Sequence, residues 1–465
     1  MVFDYPTVNA LVEYIENTTS RETIPISTSI SLQPRNADQA TPFRASLLQE
    51  RLWPYERNPD PQRFQIRGEG AALLKGSLDI EILQKSLTHL VERHELLRST
   101  FKEMGGVLQV YVHPPSPFSL EILVADGDGD EARRADASRV ISDVTSRVFD
   151  LETAPPFRCV LIKISDEQHV LGISTHHIVS DGWSMGVLVN EIVKTYDALK
   201  HNLPESLPSL SYQFVDYAAW HREWLDSRSG QASVDFWRSY LNGLPPALNV
   251  PLPSDSPRQN EANFPVRRTK VIVDDRTQNA IRSMAKSSQT SVHTVFLAGF
   301  LRAFQSLCPL ADLPIGIMHA NRHLPGTENL IGYFSTMVML RFKLEQEGVS
   351  FRGLVEMVRD ATRIITPHCG VPIGVLIDEG VVDTSPRVFV DSVPRPEMQS
   401  IPDLSIEEFP FEHPPLFAFA DLSAFLFDNG RDLKCILGTN EDMFSDTAAN
   451  DFAAALARSL ATIES

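Results

Sequence analysis

Cysteine is scarce: the 465 residues include only Cys159, Cys308, Cys369 and Cys435. They lie far apart and lack metal-ligand spacing, so neither a disulfide framework nor a bound metal is expected, and the thiols read as reduced core or surface groups. No stretch of 18 apolar residues occurs, and nothing at the N-terminus reads as a basic segment followed by an apolar one. A soluble protein of the cytoplasm is therefore expected. Basic residues are in deficit, with 42 Lys and Arg against 60 Asp and Glu, so the net charge is 42 − 60 = −18. So acidic a chain repels phosphate backbones and anionic lipid, which argues against nucleic acid or membrane as a partner. Sequence repeats are also absent.

What is present suffices for more than one core, at 43% hydrophobic residues. Strand-like and helix-like patterns alternate, which indicates a mixed α/β (α+β) protein. Residues 1–16 read as one short amphipathic helix, with Thr7 as N-cap and Leu11, Val12 and Ile15 on a common face. Residues 17–42, rich in Ser, Thr, Asn, Gln and Pro, read as a linker, and the main body starts near Phe43. Within the body, Leu83, Leu87, Leu90 and Leu97 recur at helical spacing after Asp79. Residues 168–177 follow a strand pattern and residues 185–199 a helical one. Strands are also expected at 268–273 and 313–319, an apolar helix at 291–307, and a Pro-rich loop over 394–415.

Chemistry concentrates in His176-His177-Ile-Val-Ser-Asp181-Gly182-Trp183-Ser184, where a strand gives way to a helix. Successive strand side chains point to opposite faces, so one histidine packs inward while the other can face a cleft. Parity alone leaves open which. A neutral imidazole suits a step that takes a proton from an amine near neutral pH. Asp181 reads as structural, since a buried carboxylate needs a cationic or hydrogen-bonding partner. The alternatives are two satisfied core histidines or a metal pair, and the latter has no third or fourth ligand at suitable spacing. Gly182-Trp-Ser184-Met-Gly186 also matches the G-x-S-x-G elbow of serine hydrolases and thioesterases, with Asp378 or Asp391 and His413 as triad partners. Six residues intervene between His177 and Ser184, however, where the elbow needs its serine directly after the strand. Helix N-cap is the simpler role for Ser184. Accordingly Ser184→Ala is expected to be mild and His177→Ala severe.

Taken in order, several segments resemble the condensation domains of nonribosomal peptide synthetases. The H-H-x-x-x-D-G signature stands at His176–Gly182. Upstream, Ser46-Leu-Leu-Gln49-Glu-Arg51-Leu-Trp53 and Arg93-His94-Glu95-Leu-Leu-Arg98-Ser-Thr-Phe101 are similar to the first and second motifs. Downstream, Tyr212–Trp220, Ile331-Gly332-Tyr-Phe334 through Arg341, and His368–Pro372 are similar to the fourth, fifth and sixth. The order is far more specific than any one motif.

The resemblance implies two chloramphenicol-acetyltransferase-like lobes, 43–220 and 221–465, set in a V with a tunnel between them. It implies His177 as the catalytic residue facing that tunnel, as base or as the group orienting the amine, with His176, Asp181 and Gly182 structural. Arg322 would come from the other lobe to pair with Asp181, with Arg341 as second candidate, and Ser335, Thr336 and Arg341 would line the acceptor side. The implied reaction joins an acyl thioester on an upstream carrier domain to the amine of an aminoacyl group on a downstream peptidyl carrier, itself loaded by an adenylation domain. An ester product or an idle, carrier-docking domain are the other readings. No cofactor belongs to the domain itself, because phosphopantetheine arrives on the carriers. The chain departs from the pattern at Phe334-Ser335-Thr336-Met337, at Ile373-Gly374 and around Ser385-Pro-Arg387, which puts the usual acceptor preference in doubt. Intact Gly182 disfavours epimerising relatives and intact His176-His177 disfavours heterocyclising ones. Finally, Phe3-Asp-Tyr-Pro-Thr7 and the helix after it resemble the tail of a polyketide carrier, implying a polyketide or fatty acyl donor in a hybrid synthetase.

Overall fold

Residue 168 opens a segment of strand-like pattern, and the strand it forms is buried along almost its whole length. The computed structural model describes residues 30, 40–56, 67–204, 207–244, 252–256, 265–308, 312–344, 349–394, 400–411, 420–430 and 432–463. The segment expected as a carrier remnant (1–16) lies outside the described residues, as does most of the linker (17–42).

The N-terminal part runs β1 (Thr41–Arg44), α1 (Leu47–Glu56), β2 (Arg67–Gly76), α2 (Ile80–Arg93), β3 (Ser99–Met104), β4 (Val107–Val112), β5 (Glu121–Val124), α3 (Gly129–Ser146), β6 (Phe157–Ser165), β7 (Gln168–His176) and α4 (Gly182–His201). Two helices then follow, α5 (Phe214–Asp226) and α6 (Arg228–Tyr240). The remainder runs β8 (Val266–Val271), α7 (Asp275–Ser287), α8 (Val292–Leu307), β9 (Asp312–His319), β10 (Thr336–Lys343), α9 (Phe351–Ile365), α10 (Ile373–Asp378), β11 (Val388–Pro394), β12 (Leu404–Glu408), β13 (Leu422–Asp428), β14 (Leu433–Asn440) and α11 (Asp446–Ala461). The α/β (α+β) class expected from the alternating patterns is the class observed.

Strand β7 is central in a sheet ordered β12-β2-β7-β6-β5. Both faces are covered, which is why Val170, Leu171 and Ile173 place apolar side chains on either face. Leu171 and Ile173 meet Leu87, Leu188 and Ile192 of α2 and α4 on one side. Val170 meets Ala137 and Ile141 of α3 on the other. Gly172 permits that approach, because a Cβ there would lie 2.4 Å from Ile141 Cδ1. A second sheet is ordered β10-β9-β11-β13-β14-β8 and shares a core with α8, α9 and α11. Helix α2 begins where its signals say, with the Asp79 carboxylate accepting from Ile82 N at 3.0 Å.

Within the Pro-rich stretch 394–415, residues 404–408 depart from the expected loop character. Leu404 and Ile406 alternate with Ser405 and Glu407, and β12 pairs antiparallel with β2, Leu404 opposite Gly76 and Glu408 opposite Ala72. A strand from late in the chain thus closes the edge of the early sheet, and Lys75 Nζ meets the Glu407 carboxylate at 2.7 and 2.8 Å. Five residues are too few for a period of two to stand out among prolines, and only the waiting edge of β2 selects it.

Candidate active site

His176 closes β7, and the chain then turns tightly, with Val179 N donating to His176 O at 3.1 Å and Ser180 N to His177 O at 3.3 Å. Three buried contacts hold the turn. Ile178 N donates to His176 Nδ1 at 3.0 Å, so the ring proton sits on Nε2, which faces Glu56 Oε1 at 2.9 Å. Gln49 Nε2 donates to Ile178 O at 2.8 Å. The hydroxyls of Thr175 and Ser180 meet at 2.5 Å. Gln49 is itself fixed by a reciprocal cap with Ser46, whose N–H donates to Gln49 Oε1 at 2.9 Å while Gln49 N donates to Ser46 Oγ at 3.2 Å. His176 is therefore the inward-packed histidine.

His177 differs in every respect. It lies one step beyond the strand and is only half-buried. Its Nδ1 is buried and, among the described residues, finds no partner outside its own residue. Its ring meets the Tyr333 ring edge-on, with centroids 4.7 Å apart and an interplanar angle of 72°. Burial holds its pKa below the ordinary histidine value; the Asp181 carboxylate pulls the other way without overcoming it. The imidazole is neutral at neutral pH, and Nε2 is the nitrogen left for a reacting proton.

Asp181 caps α4 and is saturated. Its Oδ1 accepts from Ser184 N at 2.8 Å, Ser184 Oγ at 2.7 Å and Arg322 Nη2 at 2.9 Å. Its Oδ2 accepts from Phe334 N and Ser335 N, each at 3.1 Å. Burial alone would raise this carboxyl, but Arg322 and the Ser184 donors outweigh it and hold the pKa below the usual carboxylate value. No lone pair is left for base catalysis. Arg322 follows β9 and also donates to Thr327 O at 2.6 Å and Leu330 O at 2.7 Å, with its guanidinium 4.1 Å from the Phe334 ring centroid. The pair is buried on both sides and ties the start of α4 to segment 322–335. Trp183 Nε1 adds a bond to Glu328 O at 2.9 Å.

Ser184 is not the N-cap; Asp181 is, and the helix starts at Gly182. The serine stands in the first turn with its hydroxyl buried among Asp181 Oδ1, Gly332 O at 2.9 Å, Gly332 N at 3.1 Å and Arg322 Nη2 at 2.8 Å. No histidine reaches it among the described residues. Asp378 pairs with Arg51, Asp391 on β11 accepts from the neighbouring Ser392 N at 2.9 Å, and His413 lies outside the described residues. The nucleophile-elbow geometry is therefore absent from Ser184. Ser184→Ala leaves buried donors short of a partner and should cost about 1–3 kcal/mol in chemical denaturation, while transfer per folded molecule should change little.

The other sequence candidates separate. Ser335 contributes its backbone N–H to Asp181, and Thr336 is buried at the start of β10. Arg341 is a correction: it neither pairs with Asp181 nor reaches the site. It lies five positions along β10 from Thr336, about 17 Å away at strand rise. There it grips Asp312 at 2.5 Å and donates to Asn242 O at 2.7 Å. The charge of Asp312, at the start of β9, attracts it more strongly than a carboxylate a strand-length away. Tyr333, Gln49 and Glu56 are site residues that the sequence did not single out. Gln49 and Tyr333 sit inside motif-like segments, but their partners lie more than a hundred residues away in the chain. Gly332 is required by close approach, since a Cβ there would lie 2.1 Å from the Phe214 ring. Two cavities among the described residues, about 700 Å³ between α2 and α4 and about 500 Å³ beside β10, are not lined by His177.

A family model described as "Condensation domain" matches residues 40–463. A linear gramicidin synthase of Brevibacillus parabrevis is 29% identical over 471 residues, covering 100% of this chain but 6% of that protein. The chain thus spans a small fraction of the curated relatives it matches. Among solved structures, the X-domain from teicoplanin biosynthesis superposes with TM-score 0.76 at 22% identity, covering 94% of this chain and 97% of that one. The condensation domain from monacolin K polyketide synthase MokA superposes with TM-score 0.76 at 19% identity, covering 91% and 98%. At these identities the structures establish a common fold.

Proposed function

Because the chain belongs to the condensation-domain family, whose members in peptide synthetases are amide-forming acyltransferases, we propose that it joins a carrier-bound acyl thioester to the amine of an aminoacyl group on a second carrier. The observation that carries this reading is the neutral, half-buried imidazole of His177, set where the N-terminal sheet meets segment 322–335 and flanked by a carboxylate that cannot act as base.

In the reaction, the amine nitrogen attacks the thioester carbonyl, the C–N bond forms and the C–S bond breaks. His177 Nε2 receives the proton the amine loses and returns it to the departing thiolate, so the sulfur leaves as a thiol. Holding two tethered reactants together supplies much of the rate, and the proton transfer supplies the rest. The upstream partner is an acyl or peptidyl carrier; the downstream partners are a peptidyl carrier and the adenylation domain that loads it. Phosphopantetheine comes with the carriers. A tunnel open at both ends belongs to this reading, as do the acceptor-side roles of Ser335 and Thr336 and a cytoplasmic location. The donor is a polyketide or fatty acyl chain, a choice supported by the carrier-like residues 3–7 and by the likeness to the condensation domain from a polyketide synthase.

Intact-protein mass spectrometry of two loaded carriers tests this. The donor carrier should lose its acyl mass and the acceptor carrier should gain it, faster with a fatty acyl than with an aminoacyl donor. Loss without gain would mean hydrolysis, and a clear preference for aminoacyl donors would remove the polyketide assignment.

A further inference from the structure

A catalytic histidine usually has its ring fixed by a hydrogen bond to the nitrogen that does not react, from a carboxylate or a carbonyl. Among the described residues, His177 has no such bond beyond its own main chain. The nearby carboxylate of Asp181 accepts five other donors. Beyond that contact with its own main chain, one side chain meets the imidazole ring to ring.

We propose that Tyr333 is the positioning residue for His177, its aromatic ring doing by packing what a carboxylate does elsewhere by hydrogen bonding. The two rings stand edge to face at 4.7 Å, within the range where such pairs attract. What makes Tyr333 suited to the task is its main chain. On its N-terminal side, Gly332 is held at both polar atoms by Ser184 Oγ, at 3.1 and 2.9 Å, and is covered by the Phe214 ring. On its C-terminal side, Phe334 N and Ser335 N are both anchored on Asp181 Oδ2 at 3.1 Å. Asp181 and Ser184 stand at the start of α4, only four and seven residues past His177. The histidine and the tyrosine are therefore braced against the same helix end, one through the chain and one through hydrogen bonds. A displacement of either with respect to the other requires breaking buried polar contacts. The tyrosine hydroxyl makes no hydrogen bond among the described residues, and burial pushes its pKa up to about 12, so it stays protonated at any working pH. Only its ring acts on His177.

This rests on the proposed function for its kinetic readout, but not for its spectroscopic one. Tyr333→Phe keeps the ring and should leave transfer within about twofold of the parent. Tyr333→Leu removes it and should lower kcat about tenfold or more, with KM for both loaded carriers nearly unchanged, as for a misplaced catalytic group. In parallel, the full chain labelled with ¹⁵N in its histidine rings, with His177→Ala used for assignment, should show a single His177 tautomer in the parent and in Tyr333→Phe. In Tyr333→Leu the signals should average between tautomers, and the midpoint of titration should move up toward the ordinary histidine value. Full transfer by Tyr333→Leu, or an unaltered His177 spectrum in it, would overturn the proposal. If the parent transferred nothing, the function would fall while the spectra still decided the role of Tyr333.

Discussion

His177→Ala is expected to lower carrier-to-carrier transfer by about 10²- to 10⁴-fold, the range over which a positioned acid–base group acts. The fold should survive, because the ring is half-buried and no other described residue depends on its buried Nδ1 for a hydrogen bond. Stability should change by no more than about 1 kcal/mol, typical of a site outside the packed core. Activity and stability thus part company at this residue. Quantifying acceptor-carrier mass against time, beside a denaturant titration, checks both. The pH profile gives a second reading of the same side chain. Burial keeps His177 neutral to a lower pH than an ordinary histidine, so the acid limb of kcat/KM should lie below the ordinary histidine range. For stability the sign follows from proton counting. Between the lowered folded pKa and the ordinary value, the unfolded chain binds more protons than the folded one, so stability rises with pH across that window. The alanine variant should lose that part of the slope. Transfer at the parental rate by His177→Ala would leave a carrier-docking domain as the remaining reading.

Asp181→Ala should have the opposite signature, a large loss of stability with activity lost as its consequence. Removing the carboxylate takes the charge partner from the Arg322 guanidinium and leaves three N–H donors, Ser184 N, Phe334 N and Ser335 N, without their acceptor, all in a water-excluded seam. Breaking a buried ion pair from one side costs about 3–5 kcal/mol. Arg322→Ala should cost less, since Asp181 keeps Ser184 N, Ser184 Oγ, Phe334 N and Ser335 N as donors. The double variant should be more stable than the sum of the single losses predicts, because no charge is left unpaired. Urea midpoints of the four proteins complete the cycle, and additive losses would mean that the two groups do not act as a pair. The linkage sign is that of a depressed acid. The carboxylate stabilises the fold above its unfolded pKa, and this contribution disappears only as pH falls through the lower folded value.

Much of this was legible in residue order. The Asp79 cap located the start of α2, the strand pattern located β7, and the spacing of His176, His177, Asp181 and Gly182 marked the segment where the chemistry gathers. These signals are local: a cap, a period and a turn all act within a few residues. The misreadings were also local in origin. Ser184 has the right identity for an N-cap, but Asp181 stands three residues earlier with a carboxylate that reaches Ser184 N. Residues 404–408 carry a strand pattern too short to prevail over the prolines around them.

The order of residues by itself determined the mixed α/β class, the elements around His177 and the need of Asp181 for a partner, because hydrophobic period, capping chemistry and the cost of burying charge are properties of short segments. Tertiary structure alone decided that the inward-turned His176 meets Glu56, that Arg341 is held by Asp312, that a late strand closes the early sheet, and that Tyr333 braces His177. Each of these joins residues more than a hundred positions apart, except the grip of Arg341 on Asp312. Which of several chemically suitable partners comes within about 3 Å, the reach of a hydrogen bond, is set by how whole sheets and helices pack.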